Sequence, residues 1–346
     1  MLYTVGRRAV RWAVHADPEG SMRSRIIVTI ASCGLASAVG MSWTAAQERP
    51  ATVTAILGVI AANAKWEIAA VTFENADGIT GGPDGSSVMW ASPPTSRVSG
   101  LDKDGHPKVF FEKTNGAGAI GFAADGRVFG MMRDSTSNGG AAPFPGFGLV
   151  HPETKVLVDN YQGDKFKGAG DLVVDKKGGV YLVESGRQPF PGIYYYSSDG
   201  KLTKVADGVR ANGITLSGDE KLLYLTNRET IAAFDVQADA MPSNQREFAK
   251  LDGGAVPDGL AIDAAGRLYV TAAPGVQVFG TKGEFLGAIP SPRPFNSVCF
   301  AGPDKKWMFG VGNGAIDAEG KQHPGSPAKT IYKISMLAEG FKGRPK

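Results

Sequence analysis

The sequence predicts an all-β chain folded as a six-bladed β-propeller with four-stranded antiparallel blades. Three observations carry that expectation. A segment of one pattern recurs six times. A glycine stands eight residues into four of the six copies (Gly85, Gly126, Gly178 and Gly266). The 346-residue chain holds 47 Gly and 21 Pro with only 21% charged residues, a balance that suits many short strands and turns better than long helices.

The N-terminus stands apart from this body. No charged residue occurs from Ile26 to Gln47, Arg23 and Arg25 precede that stretch, and Thr44, Ala45 and Ala46 close it. Basic, apolar and small-residue regions in that order read as a secretory signal over residues 1–47, with cleavage near Ala46 or Gln47. Met22 offers a second start, which would make residues 1–21 an upstream extension. The rival reading is a transmembrane anchor, disfavoured by the Ser, Thr, Gly and Ala content. The expected location is the periplasm or the exterior. Residues 48–65 are expected as a linker and 66–346 as the propeller.

Charge changes meaning once the leader is removed. Residues 1–47 hold five Arg and two acidic residues, so the remainder has 32 basic (37 − 5) and 32 acidic (34 − 2) residues. A neutral body asks for neither nucleic acid nor an anionic membrane. Of the two cysteines only Cys299 remains after the leader, so no internal disulfide is expected, and its apolar setting reads as core.

The six repeats open at Asp77, Gly118, Gly170, Asn212, Asp258 and Asn296, with steps of 41, 52, 42, 46 and 38 residues. Each opening leads through a short apolar run and a turn to a β-rich run such as Val180-Tyr181 or Leu268-Tyr269. A second strand pair follows, as in residues 192–205 (GIYYYSSDGKLTKV), where the Asp-Gly turn marks a hairpin. Four strands per 40–50 residues match a propeller blade. Residues 66–73 (WEIAAVTF) precede the first repeat and are expected to pair with residues 331–336 (IYKISM), closing the ring.

Equivalent repeat positions must lie at one height around a propeller's channel. Four of the six opening residues (Asp77, Asn212, Asp258 and Asn296) carry side-chain oxygens. Hard oxygen donors with two carboxylates suit a divalent cation, calcium first, with magnesium or manganese as alternatives. Without a cation two converging carboxylates repel, and one tends to stay protonated. The bland alternative is that Asn-Gly and Asp-Gly simply serve tight turns. The three histidines beyond the leader, His106, His151 and His323, have no transition-metal spacing.

Several segments resemble the senescence marker protein/gluconolactonase (regucalcin-like) family over about residues 66–336. Asn212-Gly213-Ile214 with Leu223 to Asn227 resembles its PNG…LYVTD segment, and Pro257-Asp258-Gly259 its PDG. Asp171 to Asp175 with Gly179-Val180-Tyr181 resembles NDLVVD…GxVYFTD, and Asn296 to Gly302 resembles NCAFGG. The resemblance implies a divalent metal, often calcium, and hydrolysis of sugar lactones. It carries metal ligation onto Asn212 and Asp258, and onto Asp77 in place of the family's Glu, with Glu74 as a nearby backup. Two departures stand out. Gly170 replaces an Asn before the Asp, and Gly118 replaces a blade-two Asn. Both are expected to open space, for a bulkier substrate or in a member that has lost the usual activity.

The expected chemistry is metal-dependent hydrolysis of a sugar lactone or related ester, with Asp258 as ligand and general base. Asn296, Asp171, Arg133, Glu184, Arg187 and Asn227 are the expected substrate contacts, and residues 135–146 a candidate lid. The alternative is a non-catalytic calcium-binding propeller that holds a ligand or partner. No Gly-x-Ser-x-Gly elbow or phosphate loop occurs, so neither a serine hydrolase nor a nucleotide cofactor is expected. The expected partner is a small-molecule substrate, and the chain is expected to be a monomer.

Overall fold

A computed structural model describes residues 48–133, 145–185, 192–254, 256–325 and 327–343. The expected signal at 1–47, Arg187 and most of the candidate lid lie outside the described residues.

Six antiparallel four-stranded sheets form the blades. Their innermost strands are Ile79–Gly81, Ala117–Phe122, Leu172–Val174, Ile214–Leu216, Leu260–Ile262 and Phe295–Ala301. Each inner strand contacts those of the blades before and after it, and blade six returns to blade one. In the first five blades the chain runs outward from strand to strand. Blade six is closed by an exchange: its outermost strand is Glu67–Thr72, paired with Lys329–Ser335. The expected closure of the ring is therefore present.

The apolar residues sort themselves by blade boundary. Among the described residues, six clusters of buried side chains occur, and each joins two neighbouring blades. Along Val180–Val183, Val180 and Leu182 face blade two while Tyr181 and Val183 face blade four. Both faces of the middle strands are thus covered, which is why they read as continuous apolar runs rather than an in–out alternation.

The eighth position of each repeat turns the chain between its first two strands. It has positive φ in all six: Gly85 (77°), Gly126 (89°), Gly178 (80°), Glu220 (59°), Gly266 (82°) and Asp304 (55°). Glycine reaches that region without a Cβ clash, so the recurrence of Gly there follows from backbone geometry.

Residues 48–65, expected as a linker, are part of the body. Val53, Ile56, Val59 and Ile60 join the cluster between blades five and six. The Val59 carbonyl accepts from Leu337 N at 2.9 Å and Ala338 N at 3.0 Å. Four apolar residues in a short segment were the sequence signal, hidden among Ala and Thr.

Candidate functional site

All six repeat-opening residues line one polar cavity of about 310 Å³ at the ring's axis. The local reason is the glycine that follows three of them. A Cβ on Gly213 would stand 2.3 Å from the Asp258 carbonyl oxygen, and one on Gly78 would stand 2.8 Å from the Gly118 oxygen. Adjacent inner strands approach so closely that only glycine fits, and the preceding residue is left facing the channel.

Threonines of the neighbouring strand fix two of these openings. Thr226 Oγ1 accepts from Asn212 N at 2.9 Å and Gly213 N at 3.0 Å. Thr271 Oγ1 accepts from Gly259 N at 2.8 Å. Both threonines are buried. The Leu-Tyr-x-Thr pattern of strands 222–227 and 268–272 therefore does two jobs: apolar residues fill the blade boundaries and Thr holds the channel loop.

The blade-four-to-six side presents open donors. Asn212 Nδ2 donates to Asp258 Oδ1 at 2.5 Å. Asn296 Oδ1 is buried and has no hydrogen-bond partner. Desolvation, followed by the charges of Asp77 and Asp171, pushes the Asp258 carboxyl up to about 7, with Arg133 and Lys329 opposing the shift. Asp258 is half-buried in the wall of the cavity, and the surrounding protein takes enough solvent from it for desolvation to lead.

The opposite side is already paired. Arg133 Nη1 meets Asp77 Oδ2 at 2.5 Å, with side chains 16% and 21% exposed. Asp171 Oδ1 accepts from its neighbour Leu172 N at 2.8 Å, and Oδ2 faces Ile214 N of blade four at 3.4 Å. Asp171 lines the cavity, yet its carboxylate also fastens two blades together. The space expected at Gly118 is filled, because a Cβ there would lie 2.5 Å from Arg133 Nε. At Gly170 a Cβ would lie 3.0 Å from both Val183 Cγ1 and the Val183 carbonyl oxygen, so that position is packed as well.

Three expected contacts are placed elsewhere. Glu184 is buried away from the cavity, accepting from Lys167 N at 2.8 Å and Tyr194 OH at 3.0 Å. Asn227 Oδ1 accepts from Arg210 N at 3.1 Å and does not line the cavity. Glu74, the backup ligand, pairs with Arg97 at 3.7 Å at the exposed surface. Conversely, Lys329, Asn313, Asn75 and Ser297 line the cavity without having been singled out. Lys329 is 5% exposed and its ammonium bonds Asn313 Oδ1. Burial lowers its pKa, although Asp77 and Asp258 pull the other way. Lys329 opens the third strand of blade six, so no repeat position announced it.

These residues fit a hard divalent cation on one side of the ring. Asn212, Asp258 and Asn296 offer oxygen donors, one of them an orphaned buried acceptor, beside carboxylates that lack full neutralisation. An exposed group, Asp102, Asp104 and His106, also brings ligand atoms together, but Asp102 is spent on the turn, accepting from Asp104 N at 3.0 Å and His106 N at 2.9 Å.

Comparison with known proteins places the chain by sequence and by fold. Residues 75–310 match the SMP-30/Gluconolactonase/LRE-like region model. A gluconolactonase of Zymomonas mobilis is 27% identical over 288 residues, 72% of this chain and 76% of that protein. A pentonolactonase of Haloferax volcanii is 26% identical over 184 residues, covering 49% of this chain and 63% of that one. The chain thus spans under two thirds of this second relative. Among solved structures, a Xanthomonas campestris gluconolactonase superposes with a TM-score of 0.64 at 21% identity, over 83% of this chain and 94% of that one. A calcium-binding regucalcin of Agrobacterium tumefaciens gives 0.60 at 17% identity, over 78% and 92%. The two structural likenesses speak for the shared fold.

Proposed function

The chain belongs to the SMP-30/Gluconolactonase/LRE-like family, and from that premise we propose that it is a metal-dependent hydrolase of a sugar lactone or related ester. The observation that carries this reading is the placement of Asp258 in a polar cavity, bonded to Asn212 and beside the unpartnered buried Asn296 Oδ1. A base that titrates near the working pH is suited to take a proton from water and return it. The gluconolactonase and pentonolactonase relatives support the lactone as substrate class.

Asn212, Asp258 and Asn296 would hold the cation, calcium first. Asp77, the sequence's third ligand, keeps one oxygen against Arg133. When bound, the cation supplies a Lewis acid's positive charge toward the lactone carbonyl. The chain's own residues do the rest. Asp258 accepts a proton from water as the water oxygen bonds to the carbonyl carbon. The ring C–O bond then breaks, and the departing alkoxide takes that proton back, giving the hydroxy acid. Asn212 orients the Asp258 carboxylate through its 2.5 Å bond. Lys329 supplies a donor to substrate oxygens at the cavity wall.

Export is part of the same proposal, supported by the composition of residues 1–47; N-terminal sequencing of the exported protein checks it.

A lactone panel followed by pH indicator, with calcium, magnesium, manganese or chelator, tests the activity. Cation-dependent turnover is expected. No turnover on any lactone with any of the three ions would overturn it; a calcium-dependent rise in melting temperature in that case would leave the binding-propeller reading.

A further inference from the structure

We propose that Arg133 is a resident counter-ion that occupies the Asp77 corner of the ring, so that a divalent cation is held by the Asn212–Asp258–Asn296 side alone and with affinity that Arg133 keeps low. The inference rests on the cation half of the function proposed above.

Two independent observations place the guanidinium there. Arg133 Nη1 and Asp77 Oδ2 are 2.5 Å apart in a half-buried setting, where a charge-assisted contact is stronger than at the surface. The backbone beneath admits it: a Cβ on Gly118 would stand 2.5, 2.9 and 3.1 Å from Arg133 Nε, Cζ and Cδ, so any side chain at 118 would displace the arginine. Arg133 is also anchored at its root, since its N–H donates to the Gly116 carbonyl at 2.9 Å.

The electrostatic consequence has a fixed sign. A chain-tethered guanidinium neutralises one of the carboxylates that would otherwise attract a cation, and its own charge repels one. The Lys329 amine lies on the same cavity wall, bonded to Asn313 Oδ1. A divalent ion that used Asp77 would have to sit beside the guanidinium charge that already neutralises it. The ring therefore divides into an internally neutralised corner and an open one. Arg133 is a positioning residue for the cation, acting through Asp77.

The test is calorimetric titration of the intact protein with calcium chloride, without substrate. Arg133→Gln should bind calcium at least tenfold more tightly than the wild type. Asp77→Asn should weaken the wild-type affinity modestly, less than tenfold, because it leaves the Arg133 charge unpaired. Combined with Arg133→Gln, it should abolish the gain, because the released Asp77 carboxylate is what tightens binding. Arg133→Met, similar in length and uncharged, replaces Arg133→Gln should the latter not fold. Unchanged or weaker calcium binding in the neutral Arg133 variants overturns the proposal, as does a gain that survives in the Asp77→Asn, Arg133→Gln double variant. Since the readout is heat of ion binding, lactone turnover that is absent while Arg133→Gln tightens calcium would defeat the activity and leave this inference standing. Turnover with calcium affinity indifferent to Arg133 would do the reverse.

Discussion

The two sides of the channel mouth start from the same repeat position and end with opposite chemistry. On the side of blades four to six, Asn212, Asp258 and Asn296 present donors to the cavity, one of them an unpartnered buried oxygen. On the side of blades one to three, Asp77 is held by Arg133, Asp171 leans on backbone N–H groups, and Gly118 and Gly170 present no side chain at all. A repeat fixes where a side chain sits. What it does depends on neighbours that the repeat does not specify.

The largest expected effect contrasts one carboxylate from each side. Asp258→Asn removes the base and should lower kcat/KM for a lactone by roughly a thousandfold, about 4 kcal/mol of transition-state stabilisation. Asp171→Asn should lower it less than tenfold, since Asp171 acts on blade attachment. Its cost should appear instead as a drop of about 1 kcal/mol in stability. Steady-state kinetics and thermal melts of both variants check the contrast, and equal kinetic losses would erase it.

A pH series sharpens the same comparison. The Asp258 carboxyl is raised to about 7 from an ordinary value of 3.8, so the folded state holds its proton more tightly than the unfolded state does. The stability linked to this group is therefore full below about 3.8 and is lost as pH rises through 7. In chelator, the wild type should lose melting temperature relative to Asp258→Asn between pH 5 and pH 8, by roughly 2–4 °C for each 1 kcal/mol. Added calcium should narrow the gap. No divergence would place Asp258 in a better-solvated or better-neutralised setting than the one described.

Smaller effects test the repeat itself. Gly126 has φ of 89° with nothing within 4 Å of its missing Cβ, so Gly126→Ala meets strain without collision. It should cost about 1 kcal/mol. At the equivalent Asp304, φ is 55° and Asp tolerates the left-handed region, so Asp304→Gly should stay within about 0.5 kcal/mol of neutral. Chemical denaturation measures both.

The fold was legible because its signals repeat. Six openings, a turn at the eighth position and a strand left over at residues 66–73 were enough to place the blades and the ring's closure. Glu220 and Asp304 broke the Gly pattern in sequence but kept its backbone conformation. The cavity was legible to the same degree, since all six openings reach it. The partners were not. Arg133 follows a second strand and Lys329 begins a third, and nothing in a linear pattern says that a guanidinium will lie over Gly118 or that an ammonium will turn inward. The reading of Gly118 as open space failed for that reason: an absent side chain is room for whichever neighbour is long enough to use it. Glu184 and Asn227 failed differently, being captured locally by Tyr194, Lys167 and Arg210 backbone or hydroxyl donors before reaching the mouth.

The most direct test of the central claim is the pH dependence of kcat/KM for gluconolactone in the presence of calcium, followed by pH-stat for the wild type and Asp258→Asn. A single ionisation at or below about 7, with activity on its alkaline side, is predicted for the wild type, because a bound cation lowers the pKa of the carboxyl it touches. The Asp258→Asn enzyme should show neither the ionisation nor appreciable turnover. A wild-type profile that Asp258→Asn reproduces, in shape and within tenfold in rate, would contradict the account.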